Sequence, residues 1–314
     1  MKMTLTGKDL ISTKDLTRED YEYIFEITKR IEGRNAQGLT HVLPDRIIAL
    51  LFFEPSTRTR LSFSTAVKRL GGETIGFSGE EATSIMKGEN LADTIRVVEQ
   101  YADAIVIRHP LEGSAKYAAQ VANIPVINAG SGAEEHPTQA LLDLYTILRE
   151  KGTIDELTIG LIGDLRYSRT VHSLLYALTN FDVTVYLISP PLLKLGESIK
   201  GHLHEKGVHF KEFDNLADCI SELDVLYVTR IQRERFVHPE EYLKVKDSYK
   251  INMKTLSNAK ENLIVMHPLP RVGEISHEVD NTSHAVYFKQ VRYGLYVRMA
   301  ILSMIFGRED RITG

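Results

Sequence analysis

One stretch decides the fold: residues 47–60 read IIALLFFEPSTRTR. Its first seven residues are apolar without interruption, which is typical of a short β-strand buried on both faces. After Glu54-Pro55-Ser56, apolar residues return at helical spacing, namely at Leu61, Phe63, Val67 and Leu70. A buried strand that leads directly into an amphipathic helix indicates one unit of a parallel sheet covered by helices.

The same alternation continues on both sides of this stretch. Upstream, Thr17 with Asp20 three residues later predicts the start of a helix. Downstream, apolar runs predict further strands at 104–107, 125–128, 157–163, 183–188, 209–213, 225–229 and 263–266. Helical spacing lies between strands, for example at 91–101 and 114–122. Strands that alternate with helices indicate parallel sheets with both faces covered.

The alternation occurs twice and therefore predicts an α/β chain of two doubly wound parallel-sheet domains. We expect residues 1–136 to form the first domain and residues 152–290 the second, joined by a helix at 137–151. A last helix at 291–306 is expected to pack back on the first domain. Ligands of such sheets bind outside the carboxyl ends of the strands, so the active site is predicted in the cleft between the domains.

The composition is that of a globular protein without nucleic-acid or membrane partners. Of 314 residues, 43% are hydrophobic and 25% charged, and the formal net charge is −4. No apolar stretch is long enough to span a bilayer, and no signal-peptide pattern opens the chain. The single cysteine, Cys219, fits a reducing compartment and lies in an apolar pattern that predicts burial. We therefore expect a cytoplasmic location.

The segment after the first buried strand has the residues of a phosphate site. Ser56, Thr57 and Thr59 offer hydroxyl groups at the start of a helix, where backbone N–H groups are unpaired and the helix dipole is positive. Arg58 adds a bidentate cation for phosphate oxygens. The alternative for this segment alone is a helix cap followed by two solvated arginines.

Two more polar segments follow strands of the same predicted sheet. Arg108 follows the strand at 104–107, and His136-Pro137-Thr138-Gln139 follows the strand at 125–128. Pro137 suits the first turn of a helix. An arginine, a histidine and a threonine hydroxyl that converge on one carbonyl would polarise it, and Gln139 could bind an amide. Their place at the ligand edge favours this role over that of structural side chains.

The second half of the chain supplies cations to the corresponding edge. Arg169 follows the strand at 157–163, and Arg230 follows the strand at 225–229. Two rigid guanidinium groups suit a dicarboxylate ligand. The alternative, a surface pair with a carboxylate such as Asp164 or Glu234, is favoured instead for Arg233 and Arg235. Lys87 is a third cation, in a loop with sequence TSIMKGE that by itself indicates a solvated lysine.

These motifs together make the chain resemble the aspartate carbamoyltransferases, within the aspartate/ornithine carbamoyltransferase superfamily. The resemblance covers almost the whole chain and keeps the family's order. It rests on the motifs at residues 53–60, 108–110, 136–139, 163–170, 229–232 and 267–270.

The resemblance implies an enzyme that transfers the carbamoyl group of carbamoyl phosphate to the amine of L-aspartate. The products are N-carbamoyl-L-aspartate and phosphate, an early step of pyrimidine biosynthesis that needs no metal or other cofactor. The implied carbamoyl phosphate ligands are Ser56, Thr57, Arg58, Thr59, Arg108, His136, Gln139 and the backbone carbonyls of Leu269 and Pro270. The catalytic residues among them are Arg58, Thr59, Arg108 and His136. We expect a cis bond before Pro270.

The resemblance also implies an aspartate site and a shared assembly. The aspartate ligands are Lys87, Arg169, Arg230 and Gln232. The loop with Ser84 and Lys87 is implied to enter the active site of a neighbouring chain in a homotrimer, and the two domains are implied to close over the substrates. Assembly of the trimers with separate regulatory chains is left open.

Three rival functions differ in specific features. A nicotinamide dehydrogenase would use Gly160-Leu161-Ile162-Gly163-Asp164, but this turn lacks the G-x-G-x-x-G pattern. An ornithine-specific relative carries a cysteine directly after the histidine of the 267–270 motif, where this chain has Pro268 after His267. A non-catalytic binding module would leave all the donor-site residues idle. Transfer to aspartate is therefore the predicted activity.

Overall fold

The chain forms two compact units. The computed structural model describes residues 5–79, 83–233, 236, 238–246 and 248–312. The first unit comprises Met1–Tyr145 and Arg292–Gly314, and the second comprises Thr146–Val291. Both boundaries fall inside helices, namely Pro137–Lys151 and Tyr287–Ile305.

The first unit is built on a parallel sheet. Within the described residues its strands are β1 Ile47–Phe52, β2 Glu73–Ser78, β3 Ala104–His109 and β4 Val126–Ser131, in the order β2-β1-β3-β4. Phe52 at the end of β1 lies opposite Ser78 on one side and Arg108 on the other. From β1 the chain goes first to one side of the sheet and then to the other, so a crevice opens beyond the carboxyl ends of β1 and β3.

Helices and buried strands make the core of this unit. The helices are α1 Arg18–Gly33, α2 Thr57–Leu70, α3 Leu91–Val98, α4 Ser114–Val121 and α5 Pro137–Lys151. The predicted start of α1 is confirmed, because Thr17 N donates to Asp20 Oδ2 over 2.8 Å and the Thr17 hydroxyl accepts from Asp20 N. The five residues of β1 after Ile47 are buried, as its continuous apolar run predicts.

The second unit repeats the architecture with its own sheet. Its described strands are β5 Leu157–Ile162, β6 Val183–Ile188, β7 His209–Phe213, β8 Val225–Val228 and β9 Ile264–Met266, all parallel, in the order β7-β6-β5-β8-β9. Its helices are α6 Arg169–Leu178, α7 Glu197–Glu205, α8 Pro239–Val245 and α9 Met253–Leu256, and α10 Tyr287–Ile305 begins in this unit and continues in the first unit from Arg292. The crevice of this sheet lies beyond the ends of β5 and β8. The predicted fold class, two doubly wound parallel-sheet units, is confirmed.

Cys219 lies in the core of the second unit, as its apolar setting predicts. It is fully buried among the apolar side chains beside β5, β6 and β8. Burial raises the pKa of the Cys219 thiol to about 12, so the group stays protonated and packs as a small apolar residue.

Several element bounds differ from the predicted ones. Strand β2 was missed, because all six of its residues are exposed or half-buried and lack a continuous apolar run. Strand β3 runs two residues further than predicted, to His109, and β4 runs to Ser131. The helix predicted at 91–101 ends at Val98. The last helix begins earlier than predicted, at Tyr287.

Within the described residues, no helix is both long and apolar enough to cross a bilayer.

Candidate active site

The start of α2 forms the first part of the candidate site. Ser56 is the N-cap residue, with extended backbone (φ −155°, ψ 98°), and its carbonyl accepts from Arg60 N over 3.4 Å. In the described part of the chain, the Ser56 hydroxyl makes no capping hydrogen bond to the helix. Thr57 and Arg58 are exposed, whereas Thr59 is buried. The first turn therefore offers hydroxyl, guanidinium and N–H donors to an anion.

Arg108 lies next to this turn, near the carboxyl end of β3. Its carbonyl accepts from Phe53 N over 2.9 Å, which ties the end of β3 to the segment that leads into α2. Its Nε lies 2.8 Å from Glu54 Oε1, and both side chains are largely buried. The sequence interpretation did not assign a role to Glu54, although it belongs to the 53–60 motif. Glu54 holds the Arg108 side chain beside the start of α2.

His136 and Gln139 lie where β4 leads into α5. Glu135 anchors the preceding turn, because its carboxylate accepts from the Ser12 hydroxyl and, over 3.0 Å, from Thr13 N. Burial raises the pKa of Glu135, although these hydrogen bonds act in the opposite direction. The carbonyl of His136 accepts from Gln139 N over 2.9 Å in the first turn of α5. The side chains of His136 and Gln139 are both buried.

The donor-site residues of the first unit share one edge. Strands β1, β3 and β4 are neighbours in the sheet; predicted segments follow β1 and β4, whereas Arg108 is the last residue but one of β3 itself. The residues at this edge are Ser56, Thr57, Arg58, Thr59, Arg108, His136 and Gln139. The edge combines anion donors at the end of β1 with an arginine and a histidine at the ends of β3 and β4. It is chemically suited to a phosphate ester with an adjacent carbonyl.

The turns after β5 and β8 are locked together in the second unit. Gly163 has φ +123°, and a Cβ there would lie 2.2 Å from Tyr249 Oη and 2.4 Å from Thr229 O. The Thr229 hydroxyl accepts from Asp164 N over 3.2 Å, and the Tyr249 hydroxyl donates to the Thr229 carbonyl. Burial raises the pKa of Tyr249 well above its usual range, so it remains a donor.

Arg169 and Arg230 follow these locked turns. Arg169 is the first residue of α6, Arg230 comes directly after Thr229, and both side chains are half-buried. Gln232 Nε2 lies 3.5 Å from the Tyr167 carbonyl, which links the segment after β8 to the segment after β5. The predicted acceptor residues of this unit thus lie at the carboxyl edge of one sheet. Two guanidinium groups there can bind carboxylates.

The 267–270 segment follows β9 and has a defined backbone. His267 is buried; its Nδ1 accepts from Leu269 N over 2.7 Å, and its Nε2 lies 2.6 Å from Glu274 Oε1. The Leu269–Pro270 bond is cis, which confirms the prediction. Arg271 forms a two-pronged ion pair with Asp280, which lowers the pKa of Asp280 to about 2.

The remaining predicted residues lie in less enclosed segments. Ser84 and Lys87 are exposed and belong to one turn of 3₁₀ helix, Ser84–Lys87. Arg233 is exposed, as expected for a surface arginine. Glu234 and Arg235 lie outside the described residues.

Two family models match the chain, one for each unit. Residues 8–149 match the family model described as aspartate/ornithine carbamoyltransferase, carbamoyl-P binding domain. Residues 155–305 match the model described as aspartate/ornithine carbamoyltransferase, Asp/Orn binding domain. The chain belongs to the aspartate/ornithine carbamoyltransferase family. The resemblance stated from the motifs is thereby confirmed.

Individual carbamoyltransferases match over nearly their full length. The catalytic subunit of aspartate carbamoyltransferase from Thermococcus kodakarensis is 58% identical over 306 residues, which cover 97% of this chain and 99% of that protein. The catalytic subunit of M. jannaschii aspartate transcarbamoylase has a TM-score of 0.88 at 51% identity, covering 96% and 98% of the two chains. Aspartate transcarbamoylase from Trypanosoma cruzi, in complex with carbamoyl phosphate and aspartate, has a TM-score of 0.90 at 42% identity, covering 96% and 97%.

Proposed function

We propose that the chain is an aspartate carbamoyltransferase, which transfers the carbamoyl group of carbamoyl phosphate to L-aspartate as a step of pyrimidine synthesis. The observation that carries the proposal is the pair of anion-binding edges, one in each unit. The first unit matches a carbamoyl-P binding domain and the second an Asp/Orn binding domain. A solved relative from Trypanosoma cruzi holds carbamoyl phosphate and aspartate.

The phosphate of the donor binds at the start of α2 in this proposal. Ser56 and Thr57 donate hydroxyl hydrogen bonds to the phosphate, Thr59 donates its backbone N–H, and the exposed Arg58 binds two phosphate oxygens. The backbone N–H groups of the first turn and the helix dipole add to the attraction for an anion. The uncapped Ser56 hydroxyl supports this role, because the helix does not use it.

The carbamoyl group of carbamoyl phosphate contacts hydrogen-bond donors at the ends of three strands. Arg108, His136 and Thr59 bind its carbonyl oxygen and stabilise the negative charge that develops there during attack. Removal of one such preorganised donor typically slows an enzyme by about 10²–10³-fold. Gln139 and the carbonyls of Leu269 and Pro270 bind its amine. The set polarises the carbonyl and fixes the direction from which a nucleophile approaches.

The two carboxylates of aspartate bind to Arg169, Arg230 and Lys87, with Gln232 beside them. An acceptor with a distal ammonium group, such as ornithine, is repelled by the same cations. The locked turns after β5 and β8 fix the backbone that carries Arg169 and Arg230. Charge matching therefore selects the dicarboxylate.

The transfer is a nucleophilic substitution at the carbamoyl carbon. The uncharged amine nitrogen of aspartate forms a bond to this carbon, and the tetrahedral intermediate collapses as the bond to the phosphate oxygen breaks. The departing phosphate takes the proton that the amine loses, so no protein base is required. Holding the two substrates in attack geometry contributes on the order of 7–11 kcal/mol.

The activity is tested with the purified chain, carbamoyl phosphate and either aspartate or ornithine. We expect equal amounts of N-carbamoyl-L-aspartate and phosphate with aspartate, and only the background hydrolysis of the donor with ornithine. Citrulline formation from ornithine, or phosphate release without a carbamoylated amino acid, would contradict the proposal.

The proposal includes a cytoplasmic homotrimer whose active sites are shared. Ser84 and Lys87 of one chain then serve the site of its neighbour, which suits their exposed position in this chain. Lys87→Ala and Arg58→Ala chains, dissociated and reassembled together, should recover part of the wild-type rate. No recovery in mixed trimers would restrict each site to one chain. Relatives named catalytic subunits support a regulatory chain as a further partner.

A further inference from the structure

A buried carboxylate fixes the orientation of the Gln139 amide. Gln139 Nε2 donates to Asp143 Oδ1 over 2.8 Å, one turn further along α5. Asp143 is fully buried and Gln139 is nearly so. An ionised carboxylate accepts hydrogen bonds and cannot donate them. The NH₂ group of Gln139 must therefore face Asp143, and its Oε1 must face away from Asp143.

A buried cation of α10 interacts electrostatically with Asp143. Arg298 of α10 is almost fully buried, its Nη1 donates to the Ser62 hydroxyl over 2.9 Å, and its guanidinium lies 5.2 Å from the Phe63 ring centre. Burial lowers the pKa of Arg298 to about 10, while the Asp143 carboxylate acts in the opposite direction. At neutral pH Arg298 is thus cationic and favours the ionised form of Asp143.

Packing alone does not explain why the charged side chains of Asp143 and Arg298 are buried. Residues 135–147 are buried throughout, so Asp143 lies in an otherwise closely packed stretch of α5. Within the described residues, Arg298 Nε is buried without a hydrogen-bond partner. Apolar residues of similar volume often stabilise such positions as well or better. Ser62 and Phe63 belong to α2, so the same cation also contacts the helix that begins at the phosphate residues.

We propose that Asp143 is a positioning and specificity residue, which turns the Gln139 carbonyl oxygen toward the amine of the carbamoyl group. The proposal rests on the donor site under Proposed function and adds the reason why Gln139 accepts from the substrate rather than donates to it. A carbamoyl NH₂ needs an acceptor, which Oε1 supplies. An acetyl group, with a methyl in the same place, leaves Oε1 without a donor. Sites built in this way discriminate strongly against analogues that lack the polar group.

The test compares carbamoyl phosphate with acetyl phosphate in Asp143→Asn. The asparagine keeps the volume but can donate or accept, so it permits both orientations of the Gln139 amide. We measure the KM of carbamoyl phosphate and the inhibition constant of acetyl phosphate as its competitor. We expect the preference for carbamoyl phosphate to fall about tenfold, the size of one lost hydrogen bond. General damage to the site would weaken both ligands equally and leave the preference unchanged.

Gln139→Ala separates failure of this inference from failure of the donor site. If Gln139→Ala lowers the preference and Asp143→Asn leaves it within twofold of wild type, the role of Asp143 is wrong and the donor site stands. If Gln139→Ala leaves the preference unchanged, Gln139 does not bind the amine, and the donor assignment fails together with the inference. The double variant should lose no more preference than Gln139→Ala alone; an additive loss would contradict action through Gln139.

A second substitution covers the case in which Asp143→Asn does not fold. Asp143→Ser also replaces an obligate acceptor by a group that donates or accepts, and its smaller side chain avoids a second amide in the core. Folding is checked by thermal unfolding before the ligands are compared. The same loss of preference is expected, and an unchanged preference in a folded variant would overturn the proposal.

Discussion

In the first unit, the crevice beyond β1 and β3 is lined by a helix start rich in hydroxyl groups. In the second unit, the crevice beyond β5 and β8 is lined by two turns that are hydrogen-bonded to each other. The first edge offers the N–H groups of a helix start and the exposed Arg58. The second offers Arg169 and Arg230 on a backbone held by Thr229. Two doubly wound parallel sheets with different strand orders thus carry two differently built candidate anion sites.

The difference corresponds to the two anions of the proposed reaction. A phosphate has several oxygens around one centre and can use the many short donors of a helix start. A dicarboxylate has two separate planar groups, each of which suits one guanidinium at a fixed distance. The fold alone therefore does not determine which ligand binds; the segments that follow the strands determine it.

The largest effect is expected for Arg58→Ala, which removes the only charged side chain that the donor proposal gives to the phosphate. We expect kcat/KM for carbamoyl phosphate to fall about 10³-fold, the upper end of the range for removal of one preorganised donor. Initial rates at varied carbamoyl phosphate and saturating aspartate measure it. Lys68→Ala, on the exposed far end of the same helix, is the matched control and should change little.

Arg230→Ala should act on the other substrate. Loss of a charge-assisted pair is worth about 1.5–3 kcal/mol, so we expect the KM for aspartate to rise about 10–100-fold. The KM for carbamoyl phosphate should change less than threefold, because the proposal places Arg230 in the aspartate site only. Arg233→Ala, three residues further along and exposed, is the control. Equal effects of Arg230→Ala and Arg233→Ala on aspartate would remove Arg230 from the site.

Gly163→Ala tests the locking of the two turns. The new Cβ would lie 2.2 Å from Tyr249 Oη and 2.4 Å from the Thr229 carbonyl, so the segment that leads to Arg230 must shift. We expect the KM for aspartate to rise about tenfold, because small misplacements of binding groups are costly. Gly152→Ala has similar backbone strain (φ +80°) with nothing within 4 Å of its Cβ. If both variants lose thermal stability and neither changes the KM, the locked turns serve stability alone.

The smallest effect is expected at the Arg271–Asp280 pair beside the cis bond. The folded pKa of Asp280 is about 2, below its usual 3.8, so the pair stabilises the fold above pH 4 and this stabilisation is lost as the pH falls toward 2. Asp280→Asn should lower the Tm by about 2–4 °C at pH 7. The difference from wild type should vanish near pH 2.

A matched control for this last prediction is Asp214→Asn, because Asp214 pairs with Lys194 in a more exposed ion pair over 3.1 Å. Exposed pairs contribute about 0–1 kcal/mol, so its effect on the Tm should be smaller. A Tm difference for Asp280→Asn that persists unchanged down to pH 2 would show that the carboxylate charge is not the cause.

Patterns of apolar residues predict the parts of the fold that are buried. Strands β1, β5 and β6 occur at or within one residue of their predicted bounds, since a strand buried inside a parallel sheet is apolar along most of its length. The apolar pattern does not predict strand β2, because an edge strand is covered on fewer sides and tolerates polar residues such as Glu73 and Thr74.

The candidate site shows a similar division. Arg58, Arg108 and His136 can be predicted because each lies at or after the carboxyl end of a strand of one sheet. Glu54 acquires its role only when β1 and β3 lie side by side, which no local pattern encodes. Asp143 had a usable signal, since it is a carboxylate inside the apolar run LLDLY of a predicted helix. A charge in such a run indicates a buried partner.

Equilibrium binding of carbamoyl phosphate in the absence of aspartate tests most directly whether the two edges divide the substrates between them. Calorimetric titration of the wild-type chain, Arg58→Ala and Arg230→Ala gives the three dissociation constants. We predict that Arg58→Ala binds the donor at least about 10-fold more weakly, while Arg230→Ala stays within about twofold of wild type. Donor binding that survives in Arg58→Ala, or that is lost equally in Arg230→Ala, would contradict the account.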